Sequence, residues 1–223
     1  MSNGKLIAMT MSDGKSVGVY HVEPTGVRRG GLVLIQEIFG ITDHIKQTCD
    51  EYCAEGYEVL APSLFDREAP GFVAGPDEMK KGIDLAYQKH PFELSVQDAM
   101  TCVHDLKKNG LVFTVGYCYG GSVAWALSCR SDELAAASSY YGKLAPDMAD
   151  QKPKCPTICH FGKTDASIPL EAVDRMRMLR PETQIYLYDA GHGFNSPRPT
   201  HHNAEAAKLA RERTLELFRA NGG

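Results

Sequence analysis

Four consecutive aliphatic residues, Leu32-Val33-Leu34-Ile35, constrain the fold of this chain more than any other feature. A strand with one wet face alternates apolar and polar side chains. An uninterrupted aliphatic run has no wet face and fits a parallel sheet covered by helices on both sides. Periodicity places strands near 5–10, 16–22, 31–36, 58–61, 113–116, 136–140, 157–161 and 184–188. Helical spacing covers 43–55, 77–88, 91–108, 122–128, 170–179 and 200–219. This alternation predicts an α/β architecture. The first two strands meet across Met11-Ser12-Asp13-Gly14, where Asp-Gly signals a tight hairpin, so an antiparallel start should lead into a mostly parallel sheet. No repeat, low-complexity tract or linker divides the 223 residues, and a single domain over 1–223 is expected. The Pro- and Gly-rich stretch 69–76 reads as a loop bordering a site.

Composition narrows the function classes. A net charge of -4 with dispersed Lys and Arg offers no electrostatic reason to bind nucleic acid or an anionic membrane. No apolar run approaches the roughly 18 residues that span a bilayer, and Met1-Ser2-Asn3-Gly4-Lys5 lacks the apolar core of a secretion signal. A cytosolic protein is expected. The cysteines Cys49, Cys53, Cys102, Cys118, Cys129, Cys155 and Cys159 form an odd set without zinc-type spacing, which suits a reducing compartment. Cys155, Cys159 and His160 lie on an extended segment that spreads ligands too far to grip one ion, and Cys49 and Cys53 fit helix packing, so no metal site is expected.

One cysteine stands apart. Gly116-Tyr117-Cys118-Tyr119-Gly120-Gly121 joins a β run to an Ala-rich helical run and reads as a nucleophile elbow with cysteine in place of serine. The glycines leave room where side chains would clash, and the helix starting at the thiol favours its thiolate. A thiol nucleophile needs a base, and the base an orienting acid. Asp165, in Gly162-Lys163-Thr164-Asp165, and His192, in Ala190-Gly191-His192-Gly193-Phe194, each follow a strand. All three loops should open on the crevice at the carboxyl ends of the strands, in the chain order of the α/β-hydrolases. Asp165 is preferred over Asp189, which lies only three residues before His192. His160 falls within a strand, and His201 and His202 open a helix read as exposed. An oxyanion hole would take the N–H of Tyr119 and that of Ile38, after the third strand. Glu37 is unusual there, because a carboxylate beside a thiolate disfavours it by like-charge repulsion, and it is a candidate for controlling the Cys118 proton.

Together, Gln36-Glu37-Ile38-Phe39-Gly40, the cysteine elbow, Tyr140-Tyr141-Gly142 and Ala190-Gly191-His192-Gly193-Phe194 resemble the dienelactone hydrolase (carboxymethylenebutenolidase) family. The likeness runs from about Gly31 to the C-terminal helix. It implies an α/β-hydrolase fold without a large cap and with an antiparallel N-terminal hairpin. It also implies a Cys118, His192 and Asp165 triad that opens an enol-lactone without a cofactor through a thioester. In the mechanism so implied, Glu37 guards the thiol until substrate moves it to accept the proton. The expected partner is a small-molecule lactone or ester, and the expected assembly a monomer or small homo-oligomer. Substrate binding is assigned to Arg67, which matches the family pattern, and to Lys80, Lys81, Arg198 and Tyr141; elsewhere the family's carboxylate-clamping arginines are replaced, one by Ser196. A broader carboxylesterase or thioesterase is the competing reading. A catalytically silent α/β-hydrolase fold used for binding or thiol redox chemistry is the other.

Overall fold

The computed structural model describes residues 4–75, 77–198 and 200–223; the expectations touching Met1-Ser2-Asn3 and Pro76 lie outside the described residues. Eight strands form one sheet: β1 (Lys5–Thr10), β2 (Ser16–Val22), β3 (Gly30–Ile35), β4 (Tyr57–Pro62), β5 (Val112–Tyr117), β6 (Leu134–Tyr140), β7 (Thr157–Gly162) and β8 (Gln184–Tyr188). Their spatial order is β1-β2-β4-β3-β5-β6-β7-β8. The β1–β2 and β2–β4 pairs are antiparallel, and every pair from β4 onward is parallel. The hairpin turn forms as its sequence predicts: Met11 N–H donates to Lys15 O, Gly14 N–H to Met11 O, and Gly14 takes a positive φ of 79°.

The aliphatic run is buried along its whole length. Leu32 and Leu34 face one core, with Cys49 and Tyr52 of α1 (Asp43–Ala54) and Leu215 and Phe218 of α6 (Ala204–Ala220). Val33 and Ile35 face another, with Val96 and Val103 of α3 (Phe92–Lys107) and Val123 of α4 (Tyr119–Arg130). Each such side chain contributes about 1.5–3 kcal/mol by leaving water. Ring contacts hold the layers together, Tyr52 with Phe218 on one face and Phe92 with Tyr119 on the other. α5 (Leu170–Leu179) follows β7. No helix among the described residues is long and apolar enough to cross a membrane.

Three helices depart from their expected bounds. The segment expected at 77–88 is α2 (Met79–Asp84) running into a wider π turn (Leu85–Lys89), closed where His90 N–H donates to Leu85 O and Pro91 forces an extended residue before it. The helix expected at 122–128 starts at Tyr119 because it begins on the turn itself. The last helix starts at Ala204, since Asn203 caps it by accepting from Ala206 N–H at 3.0 Å; His201 and His202 therefore belong to the preceding loop.

Candidate active site

The carboxyl ends of β3, β5, β7 and β8 bring together Glu37, Ile38, Cys118, Asp165 and His192. After β5 the chain turns at Cys118, which holds φ 56° and ψ -115°, a conformation costly for any residue with a Cβ. The turn is tight enough that a Cβ on Gly116 would collide with Gly120 O, and one on Gly120 with Ile35 O. Cys118 N–H donates to Tyr140 O at 3.0 Å, which ties the strained residue to the neighbouring strand. Tyr119 is the first residue of α4, so its N–H has no acceptor within the helix. Ile38 N–H donates to no backbone carbonyl among the described residues.

A hydrogen-bonded chain runs from the thiol into the fold. His192 Nε2 lies 3.1 Å from Cys118 Sγ, and its Nδ1 lies 2.7 Å from Asp165 Oδ2. Asp165 is buried and its other oxygen accepts from Ser167 N–H at 2.8 Å, which fixes the carboxylate plane. Burial alone would lower the pKa of the His192 imidazole, but hydrogen bonds to Asp165 and Cys118 outweigh it and carry it up to about 10. The ring packs edge-on to Tyr141 at 5.2 Å. Asp189 is exposed and pairs with Lys163 at 2.7 Å, away from His192.

Glu37 lines the same cavity as Cys118 and His192 and is only 5% exposed. Burial raises its pKa from the ordinary 4.5 to about 7, against the opposing pull of Arg198 and His192. Near neutral pH this carboxyl thus exists in both protonation states.

The cavity has a volume of about 580 Å³. Besides Glu37, Cys118 and His192, its walls are Ile38, Phe39, Met79, Ile83, Tyr87, Lys143, Ser167, Gly193, Ser196 and His201. Several sequence expectations need correction against this list. Arg67 does not reach the cavity: its guanidinium grips both oxygens of buried Asp98 at 2.6 and 2.7 Å and both of Asp13 at 2.9 and 3.1 Å. Lys80 is exposed and outside the lining, and Lys81 pairs with Glu78 and lies over the Phe72 ring. The wall of α2 is instead made by Met79 and Ile83. Arg198 stacks on Phe39, 3.5 Å from the ring centroid, and acts on Glu37 rather than lining the cavity. Tyr141 is fully buried beneath His192. His160 is held in a core network with Tyr188 and Thr214, as its strand position suggests. His201, read as part of an exposed helix, lines the cavity because its loop folds back over Gly193.

Tyr87, Lys143, Ser167 and His201 were not among the sequence candidates. The usable signals were adjacency to recognised motifs: Lys143 directly follows Tyr140-Tyr141-Gly142, and Ser167 follows Asp165 by two. The loop 69–75 does border the site, since Val73 bridges to Gly40 and Ala74 N–H donates to Phe39 O.

Sheet order, the turn after β5 and the loops after β7 and β8 define an α/β-hydrolase. Within that class the chain belongs to the dienelactone hydrolase family, whose model matches residues 17–222. It is 29% identical over 225 residues to the carboxymethylenebutenolidase of Pseudomonas putida, covering 95% of this chain and 94% of that protein. A crystal structure from Klebsiella pneumoniae, of a protein provisionally named dienelactone hydrolase, is 27% identical with a TM-score of 0.83, covering 96% of this chain and 99% of that one. A dienelactone hydrolase-like promiscuous phosphotriesterase from metagenomic libraries has the same fold, with a TM-score of 0.79 at 19% identity over 99% of this chain and all of that one.

Proposed function

We propose that the protein hydrolyses a lactone or small activated ester through a Cys118-His192-Asp165 triad and a thioester intermediate. The observation that carries this reading is the unbroken chain from Sγ through the imidazole to a buried, oriented carboxylate, at 3.1 and 2.7 Å. Cys118 supplies the thiolate, whose sulfur attacks the ester carbonyl carbon while His192 holds the proton as imidazolium. The carbonyl oxygen takes up the negative charge and is met by the N–H groups of Ile38 and Tyr119, a contribution of typically about 3–4 kcal/mol per donor. Collapse breaks the bond to the ring or leaving oxygen, which takes the proton from His192 Nε2 and leaves an acyl-cysteine. Neutral His192 then draws a proton from water, whose oxygen attacks the thioester, and the acid departs as the thiol is restored. Asp165 holds Nδ1–H throughout and stabilises the imidazolium.

Glu37 fits the role of proton guard. A buried carboxyl with a pKa near 7 is ionised in part at neutral pH; in that form it can accept the Cys118 proton when substrate enters, and burial then favours the neutral acid that results. No cofactor is needed for these steps, and the reading treats 1–223 as one catalytic domain acting on a small molecule in the cytosol. The name of the Pseudomonas putida relative makes dienelactones the first substrates to try. The Phe39, Met79 and Ile83 wall extends the range to small esters with an apolar group.

The test is hydrolysis of a dienelactone and of 4-nitrophenyl acetate by the wild type and by Cys118→Ala, with mass spectrometry of the acid-quenched protein. The variant is expected to lose at least about 10³-fold in kcat/KM, and the wild type to show an acyl adduct on the peptide containing Cys118. Full activity in the variant would refute the assignment.

A further inference from the structure

The cavity has an apolar side and is also lined by an exposed lysine, Lys143. Met79 and Ile83 are 40% and 44% exposed, and both belong to the wall that Phe39 and Tyr87 continue. An apolar group seated there would remove that surface from water. Lys143 lines the same cavity with its Nζ 6.0 Å from the centre of the Tyr87 ring, and it forms no ion pair among the described residues. The other cations that the sequence suggests are paired or lie outside the lining: Arg67 pairs with Asp13 and Asp98, Lys81 pairs with Glu78, and Lys80 and Arg198 do not line the cavity.

The backbone around Lys143 is held in place. Tyr141 N–H donates to His160 O at 2.7 Å, Leu144 N–H donates to Ser122 Oγ in the first turn of α4 at 3.1 Å, and Ala145 N–H donates to Gly142 O at 3.1 Å. The exposed Lys143 side chain therefore extends from a turn tied to α4, which follows directly on Cys118, and only that side chain is free to adjust. A compact, mobile point charge of this kind attracts a carboxylate without demanding bidentate geometry, and the Tyr87 ring face beside it restrains its sweep.

On the reading of the protein as an ester hydrolase, we propose that Lys143 is its specificity-determining cation, the group that selects esters or lactones bearing a carboxylate. Their carboxylate meets Lys143 and Tyr87, and their apolar part lies on Phe39, Met79 and Ile83. This places anion recognition on the loop after β6 rather than on α2 or on the loop after His192.

Two measurements test this. The first is the ratio of kcat/KM for mono-4-nitrophenyl glutarate to that for 4-nitrophenyl butyrate, which differ chiefly in the terminal carboxylate. In the wild type the ratio should exceed one and fall with added salt. In Lys143→Met it should drop about tenfold, mainly through KM, while Lys143→Arg keeps most of it and Lys80→Met, outside the cavity, does not change it. A ratio unaffected by Lys143→Met overturns the inference. The second is calorimetric binding of phenylacetate and phenylacetamide to the Cys118→Ala protein, which requires no turnover. Tighter binding of phenylacetate that disappears in Cys118→Ala/Lys143→Met supports the site even if both esters prove to be poor substrates. Equal binding of the acid and the amide to Cys118→Ala overturns it. Failure of the hydrolase reading would show in the first measurement as absence of turnover on either ester, independently of the second.

Discussion

Glu37 illustrates what a single residue contributes at a site of this kind. Its carboxyl is held protonated more readily in the folded protein than in the unfolded chain, because burial penalises the charge. Below pH 4.5 both states are protonated and there is no cost; as pH rises from 4.5 to about 7 the unfolded chain ionises while the folded protein keeps the buried group protonated, so stability falls, and the loss is complete once the folded group ionises above about 7. Glu37→Gln removes that penalty. It is expected to melt at the same temperature as the wild type near pH 4.5 and to be more stable above pH 7, by at most about 3 kcal/mol for the gap between 4.5 and about 7. Thermal unfolding at several pH values reads this directly, and an equal gain at all pH values would contradict the burial argument. Asp165→Asn tests a different function: it keeps the shape of the buried carboxylate but permits the wrong imidazole tautomer, so kcat should fall by about 10²–10⁴-fold with little change in melting.

At the scale of the element, α2 packs against the Ile38 peptide, whose N–H is the proposed oxyanion donor. Gly82 lies so close to the loop after β3 that a Cβ there would be 2.5 Å from Ile38 O. Gly82→Ala must push α2 and the Ile38 peptide apart, which would turn the Ile38 N–H away from a developing oxyanion and shift the Met79 and Ile83 wall. The expected result is a fall in kcat of at least about tenfold with a smaller change in stability, about 1–3 kcal/mol, measured by steady-state kinetics and denaturant unfolding. Sequence reading found the helix but missed this contact. Its periodicity showed an amphipathic segment over 77–88, whereas the π turn at Leu85–Lys89 and the approach of Gly82 arise from where that segment lands. The same holds for Lys80 and Lys81. As residue types they suited a carboxylate, but helix phase turns Met79 and Ile83 inward and leaves the lysines in water.

At the scale of the whole molecule, Arg67 shows how a residue that looks functional in sequence can be structural. It joins the segment after β4 to Asp98 on α3 and to Asp13 in the β1–β2 turn, linking three remote parts of the chain. Asp98 is fully buried, and burial raises its pKa against the pull of Arg67. Arg67→Met would leave that carboxylate without its partner and is expected to cost about 3–5 kcal/mol; Arg67→Met/Asp98→Asn should recover much of the loss. Because Arg67 lies outside the cavity, kcat/KM per folded molecule should stay close to the wild-type value in both variants, with equilibrium unfolding as the stability measure.

Local chemistry in the sequence was enough to determine the alternation of strands and helices, the Asp-Gly hairpin and the turn at Cys118. Buried aliphatic runs, turn residues and glycine positions are dictated by interactions a few residues apart. Asp165 and His192 were legible for a related reason, since in a parallel sheet the loops after successive strands open on one edge. The partners of each charge were not legible. Whether Arg67 meets a substrate or Asp98, whether His201 faces water or the cavity, and which lysine lines that cavity depend on contacts between residues tens of positions apart. Those contacts exist only once the layers have packed, because the energy that pairs charges is set by burial and distance in the folded molecule and not by order along the chain.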